Sequence, residues 1–481
     1  MDYYNVDPRL GTLGDFVEFM HQARDRGIRV LVDLVVNHTS IEHPWFQSAR
    51  QDKNSKYRDY YVWSNNPQSD PDLIAFPTQE DSIWEYDEQA GAFYLHHFYK
   101  EQPDLNIGNP KVQDEILRIM GFWLELGVSG FRIDAASFLI EEVGIKGVTS
   151  EDLKHFLERM RAFLAARRAD AILLAEANVS PDEISVYFDQ GDRMHMLFNF
   201  LLNQHLFLAL ARQDATTLKE GLKILPCIPH NAQWLNFIRH HDELTLDQLT
   251  EEQRQEIFAA FAPEEAMQIF GRGIRRRLFP MMENNRRRIE MTYSLAFTLP
   301  GTPLLRYGDE IGMGDDLSLE GRESVRTPMQ WSDAPNGGFS TALAEPLTRL
   351  VISEGEYSYQ RVNVSCAQRD PTSFLNWMEH LVRTRRQCPE FGIGKWRILD
   401  TDEPAVFAHA CEVNGATVLA LHNLSDRFCK ATLDDIPSQH WMEVFSDNFS
   451  LTGQNQEYEP LDQSSNIIPI NAYGYRWFRL R

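Results

Sequence analysis

Residues 127–138 read "GVSGFRIDAASF", an apolar run that holds Arg132 and Asp134 two positions apart. Side chains alternate along a strand, so the two share one face. Charges set in an apolar run are costly unless they are paired or at work. The pair is therefore a structural ion pair or part of a site. Other polar residues recur at similar places. Asp33, Asn37 and His38 sit at the end of "GIRVLVDLVV", Glu176 ends "AILLAE", His241 and Asp242 follow "WLNFI", and Tyr307, Asp309 and Glu310 close "TPLLRYG". Converging carboxylates suit glycoside chemistry. One attacks the anomeric carbon, while a second protonates the leaving oxygen and later takes a proton back. The nucleophile must stay ionised and wants a cation beside it; the acid wants a raised pKa. Arg132 beside Asp134 fits the first requirement, and the apolar setting of Glu176 fits the second.

The elements that must position these residues alternate. Thr12 to Arg26 reads as a helix with Phe16, Phe19, Met20 and Ala23 on one face, a Thr12–Asp15 capping box and Gly27 as a stop. The continuous apolar run 27–36 reads as a strand buried on both faces. Helices near 110–126, 151–168, 201–223, 286–298 and 372–387 alternate with strands at 128–134, 171–176, 196–200, 234–238 and 302–308. Such alternation predicts a parallel sheet with helical crossovers. In a parallel α/β barrel every strand's C-terminal end opens on one face, where the active site lies. The segment 39–109, rich in aromatic and polar residues, is too long for a connection and reads as an inserted subdomain. Its Tyr60, Tyr61, Trp63, Trp84, Phe98 and Tyr99 are either that subdomain's core or rings that stack on sugar. Beyond residue 391, strands such as 416–424 and 473–480 follow without helices, as in an all-β domain.

Bulk properties narrow the partners. The chain has 481 residues, 43% of them hydrophobic, enough for a large core and more than one domain. Its formal net charge of −23 argues against nucleic acid and anionic membranes and suits a neutral substrate. Five widely spaced cysteines (227, 366, 388, 411 and 429) form no CxxC, which predicts free thiols, no zinc site and a reducing compartment. No apolar run is long enough for a membrane span, and "MDYYN" carries no leader pattern, so the expected location is cytoplasmic.

"DLVVNH" (33–38), "GFRIDA" (130–135), "LLAEAN" (173–178) and "HHDE" (240–243) resemble, in order, the four signature regions of the α-amylase superfamily of glycoside hydrolases and transglycosylases. "QPDLN" (102–106) resembles its fifth. The resemblance implies Asp134 as nucleophile, Glu176 as acid/base and Asp242 as the third carboxylate, gripping sugar hydroxyls. It implies His38, Arg132, His241 and Arg326 as substrate-binding residues around the −1 subsite. It also implies a structural calcium held by Asn37, Asp104 and Glu141 with main-chain oxygens of Phe138 and Leu139, oxygen ligands that suit a hard cation. No organic cofactor is implied. "HDELTL", "GRGIRRRL", "GDEIGMGD" and "VRTPMQWSDAPNGGFS" look most like the trehalose-synthase branch, which interconverts maltose and trehalose by intramolecular transglucosylation through a covalent glucosyl-Asp intermediate.

The expected architecture is thus an α/β chain of (β/α)8 TIM-barrel type. Residues 1–38 and 110–390 form the catalytic barrel, 39–109 the inserted B subdomain and 391–481 a C-terminal antiparallel β domain. Two departures from the family pattern stand out. His240 replaces the usual asparagine before "HD", where it would alter subsite shape or pH response. Also, "MDYYNVDPRLGT" resembles the segment after the family's second strand, so the first two strand–helix units, about 60 residues, are expected to be missing. Two alternatives to the isomerase follow: a hydrolytic α-glucosidase or α-amylase, and an inactive truncated sugar-binding remnant.

Overall fold

The computed structural model describes residues 2–68, 73–76, 79–140, 143, 145, 147–342, 347–433, 441–449, 458 and 466–480. The chain divides into two compact units, residues 1–198 with 226–233, and residues 199–225 with 234–481.

In the first unit, four short parallel strands lie side by side: Val32–Leu34, Gly130–Ile133, Ile172–Ala175 and Met196–Phe198. Helices Leu13–Asp25, Pro110–Glu125 and Ser150–Arg167 alternate with them, as the sequence pattern predicts. Thr12 and Asp15 cap the first helix reciprocally, and Gly27 (φ 69°) follows its end. Met20 and Ala23 of that helix are buried, whereas Phe19 is 54% exposed, so the buried face is narrower than its apolar residues suggest. Gly130 opens the strand that carries Arg132. Its φ is 152°, and a Cβ there would lie 2.2 Å from the Ile172 carbonyl oxygen, so only glycine lets the two strands approach.

Within 39–109, strands Trp63–Ser64, Ala92–Leu95 and Trp84–Asp87 form an antiparallel sheet with Ala92–Leu95 at its centre. Tyr60, Tyr61 and Trp84 are buried here, and Trp63 stacks on Phe46 at 5.7 Å; these rings are core. Phe98 differs, because its ring lies 5.3 Å from that of His38.

In the second unit, Gln233–Phe237 pairs in parallel with Thr302–Leu304. The single helix expected over 201–223 is two, Phe200–Arg212 and Thr216–Ile224. Gln213 turns left-handed (φ 54°) and Asp214 accepts the Thr216 N–H, ending one helix and starting the next. Five C-terminal strands form an antiparallel sheet in the order Lys395–Leu399, Val406–Val413, Ala416–Asn423, Tyr475–Leu480, Trp441–Ser446. Cys429–Thr432 pairs separately with Ile467–Ile470. Helices Arg286–Thr298 and Phe374–Gln387 share one apolar core with this sheet, built around Tyr293, Trp377, Tyr475 and Trp477.

Candidate active site

The first unit brings Asp33, Arg132, Asp134 and Glu176 together at the C-terminal ends of adjacent strands. Parallel pairing sets their height. The Asp134 N–H donates to the Leu34 carbonyl (3.3 Å) and the Glu176 N–H to that of Ile133 (3.1 Å). Just after Asp134 the chain turns sharply. Ala135 adopts φ 49°, uncommon for a residue with a Cβ, and Ala136 donates its N–H to the Glu176 carbonyl at 2.9 Å. Local backbone strain therefore sits between the two carboxylate-bearing strand ends and ties them together.

Arg132 answers the question its burial raised. Its Nη1 lies 2.9 Å from Asp134 Oδ1 and 3.2 Å from Asp33 Oδ1, and its Nη2 pairs with Glu176 Oε2. Burial disfavours the guanidinium charge, yet Glu176, Asp33 and Asp134 outweigh it and hold the pKa above the ordinary value. A single cation thus serves three carboxylates. Glu176 has this polar neighbour in addition to the apolar setting read from "LLAEA". The reason is position along the chain: Leu173, Leu174 and Ala175 are all buried, while Glu176 lies beyond the last strand residue, among the charged side chains.

His38 is 9% exposed, and burial holds its pKa down against the pull of Asp104 and Asp134. It lies on a segment clamped to residues 101–105, since Thr39 and Ile41 donate to the carbonyls of Pro103 and Glu101, and Leu105 donates to that of Asn37. Beside it opens a cavity of about 380 Å³, lined among others by His38, Thr39, Tyr3, Glu101 and Gln102.

Among the expected calcium ligands, Asn37 and Asp104 are each 3% exposed and adjacent. Asn37 Nδ2 donates to Asp104 Oδ1 at 3.2 Å, and Asp104 Oδ2 pairs with His97 Nδ1. A buried carboxylate beside a buried amide is a donor set of the kind calcium takes, once the amide turns its oxygen toward the ion. Phe138 follows the Asp134 turn, its ring 5.0 Å from Phe98 and 4.8 Å from His97, and Leu139 is buried in the same 3-10 turn, Ala136–Ile140. Glu141 lies outside the described residues.

The second unit builds the other predicted residues around Asp242. Arg326 Nη2 pairs with Asp242 Oδ1, and Arg326 Nε donates to the His241 carbonyl at 3.1 Å. Arg322, which the sequence reading did not single out, reaches Asp242 Oδ2 at 3.3 Å and Glu243 Oε2 at 2.6 Å. The signal was available: Arg322 precedes Arg326 by four residues, and the 3-10 turn Gly321–Val325, which Arg326 caps, brings both guanidinium groups to the same carboxylate. Although burial pushes Asp242 up, Arg322, His241, Arg326 and His240 hold it well below the usual carboxylate range.

His240 is 5% exposed, and burial keeps its imidazole well below the ordinary value, hence neutral. Its Nδ1 accepts the Asp242 N–H at 3.1 Å. An asparagine oxygen makes the same bond two residues along an Asx-turn, which explains how one residue type stands in for the other.

The α-amylase catalytic-domain family matches residues 1–393. The chain belongs to the α-amylase family. It is 40% identical to the trehalose synthase/amylase of Mycobacterium tuberculosis over 100% of this chain and 80% of that protein. It is 38% identical to the trehalose synthase of Pimelobacter sp. over 100% of this chain and 85% of that one. The crystal structure of an α-amylase from H. orenii superposes with a TM-score of 0.78 at 25% identity, covering 100% of this chain and 86% of that one. As an α-amylase-family protein it has the fold class expected from its alternation, a TIM-barrel type with a C-terminal all-β domain.

Proposed function

We propose that this α-amylase-family protein interconverts maltose and trehalose by moving one glucosyl unit within the same active site. The observation that carries the reading is identity of 38–41% to several trehalose synthases over the whole chain. In this reading Asp134 attacks the anomeric carbon of the non-reducing glucose and forms a glucosyl ester. Glu176 gives its proton to the departing glycosidic oxygen, and the released glucose turns over. Glu176 then takes the proton from its anomeric hydroxyl, and the α,α-1,1 bond closes with net retention. The Arg132 contact at 2.9 Å places a cation beside Asp134, as a carboxylate nucleophile requires. Because Arg132 also holds Glu176, the substrate must loosen that pair before Glu176 can carry a proton. Asp242, kept ionised by two arginines, suits a hydroxyl-gripping role, and His38, His241 and Arg326 are the residues we assign to substrate binding. Calcium, held by Asn37, Asp104, Glu141 and the carbonyls of Phe138 and Leu139, would supply a rigid tie and no chemistry. Chelation should then lower the unfolding midpoint, and added calcium should restore it. Free cysteines at all five positions support a reducing compartment, the cytoplasm.

Hydrolysis is a second reading, favoured by the relative whose name joins synthase to amylase. Both reactions share the glucosyl ester and differ in whether water reaches it first. Purified protein incubated with maltose decides between them: trehalose in excess of glucose is expected, and glucose as sole product would overturn the proposal. Asp134→Ala should abolish both products.

A further inference from the structure

Beyond Asp242 the second unit forms a small three-stranded sheet. Leu244–Thr245 pairs with Gly273–Ile274, which pairs in turn with Gln268–Ile269. The hairpin joining the last two is closed by the Arg272 N–H, which donates to the Ile269 carbonyl at 3.3 Å. Its two central residues are Phe270 (φ 56°) and Gly271 (φ 64°), both left-handed. Turns of that kind are normally built from asparagine and glycine, because a Cβ crowds the neighbouring carbonyl when φ is positive. Gly271 obeys the rule and Phe270 breaks it. A bulky side chain held in this conformation is a strain that its surroundings must sustain, and such strain gathers where a side chain has work to do.

The contacts of the ring show what that work is. Phe270 is half-buried, and the Arg322 guanidinium lies over its face, 5.6 Å from the centroid. The edge of the same guanidinium is engaged with carboxylates. Its Nη1 reaches Asp242 Oδ2 at 3.3 Å, while Nε lies 2.6 Å from Glu243 Oε2 and Nη2 donates to Glu243 Oε1 at 2.9 Å. A guanidinium is flat, so bonds at its edge and a ring on its face fix it together without competing. Glu243 packs on the same hairpin, since a Cβ on Gly273 would stand 2.9 Å from Glu243 Cγ. Pairing with Leu244–Thr245 then ties the hairpin to the residues directly after Asp242 and Glu243.

We propose that Phe270 is a positioning residue for the transfer reaction: its ring holds Arg322 in the plane from which that arginine orients Asp242. This rests on the reading that Asp242 grips the hydroxyls of the transferred glucose. Gripping them productively needs one carboxylate orientation, and without the ring Arg322 has rotamers that abandon Oδ2. A packing role alone makes a different prediction, because loss of the ring would then cost the same whether or not Arg322 is present.

The test is a double-mutant cycle on the full chain, read with 4-nitrophenyl α-glucopyranoside. Its activated leaving group keeps slow variants measurable, and its cleavage does not depend on whether maltose yields trehalose. Phe270→Ala should lower kcat/KM about 10-fold, chiefly through kcat, and Phe270→Tyr should stay within about twofold of the parent. In an Arg322→Ala background the same Phe270→Ala change should cost less than about twofold, since the group it positions is gone. Phe270→Asn separates the ring from the backbone. Asparagine tolerates the left-handed turn, so its unfolding midpoint should lie about 2 °C above that of Phe270→Ala, while its kcat/KM is equally low. Full activity in Phe270→Asn, or an undiminished loss in the Arg322→Ala background, would overturn the proposal. A parent that cleaves the aryl glucoside but releases only glucose from maltose would instead overturn the maltose–trehalose reading, and the cycle would still decide the role of Phe270.

Discussion

Arg132 sits where three carboxylates meet, and removing it has a directional consequence. Without the cation, Asp33, Asp134 and Glu176 face one another with nothing to offset their repulsion or to hold Asp134 and Glu176 in register. Arg132→Gln should lower kcat at neutral pH by about 100-fold or more, and Arg132→Lys, which keeps the charge, should recover part of that loss. A kcat unchanged in Arg132→Gln would show that the three contacts serve the fold alone. The same residue marks how far sequence reading reaches. Alternation along "GFRIDA" put Arg132 and Asp134 on one face, and the structure agrees. That the guanidinium also pairs with Asp33 and Glu176 depends on the register between neighbouring strands, with Arg132 level with Asp33 and Leu174. No single strand's sequence encodes that register. Arg322 was missed for a different reason: its loop has no periodicity, and only the pairing with Asp242 gives its spacing from Arg326 a meaning.

Among the elements, long amphipathic helices and apolar strands were legible, because burial imposes a period that survives in one sequence. Short elements were not. The two-residue strands Leu244–Thr245, Gln268–Ile269 and Gly273–Ile274 are too brief to show a period. The helix Pro181–Phe188 is only two turns long, although its Ser180–Glu183 capping box is a readable start signal. Equally unreadable was the seam between the helix Arg286–Thr298 and the C-terminal sheet. Glu290, Ser294 and Thr298, four residues apart, line one helix face. Glu290 accepts from Tyr475 (3.3 Å), Ser294 meets Trp477 Nε1 (2.9 Å) and His422 Nε2 (3.0 Å), and His409 Nε2 donates to the Thr298 carbonyl (2.9 Å). Burial lowers His409 to about 4 and His422 well below its ordinary value. Above pH 6.5 both imidazoles are neutral, folded or unfolded, and the seam is at full strength. As pH falls below 6.5, the unfolded chain takes up protons the folded chain refuses; for His409 stability is lost down to about pH 4, at about 1.4 kcal/mol per pH unit, and His422 adds a loss of the same sign. Denaturant unfolding at pH 7 and pH 5 should show this slope, and His409→Gln should flatten it while keeping a donor for Thr298. An identical slope in the variant would assign the acid sensitivity elsewhere.

For the whole molecule the governing number is the net charge of −23. Such a charge repels itself, and every like-charge pair is weakened when the Debye length falls from about 20 Å at low salt to a few Å near 0.5 M. A neutral disaccharide feels none of this at long range, so there is no steering for salt to screen. The two effects should separate in one experiment. Raising sodium gluconate from about 20 mM to about 0.5 M should raise the unfolding midpoint, while kcat/KM for maltose changes less than about twofold. A steep fall in kcat/KM would mean that salt acts on the ion pairs of the site itself, contrary to an effect confined to the self-repulsion of the chain.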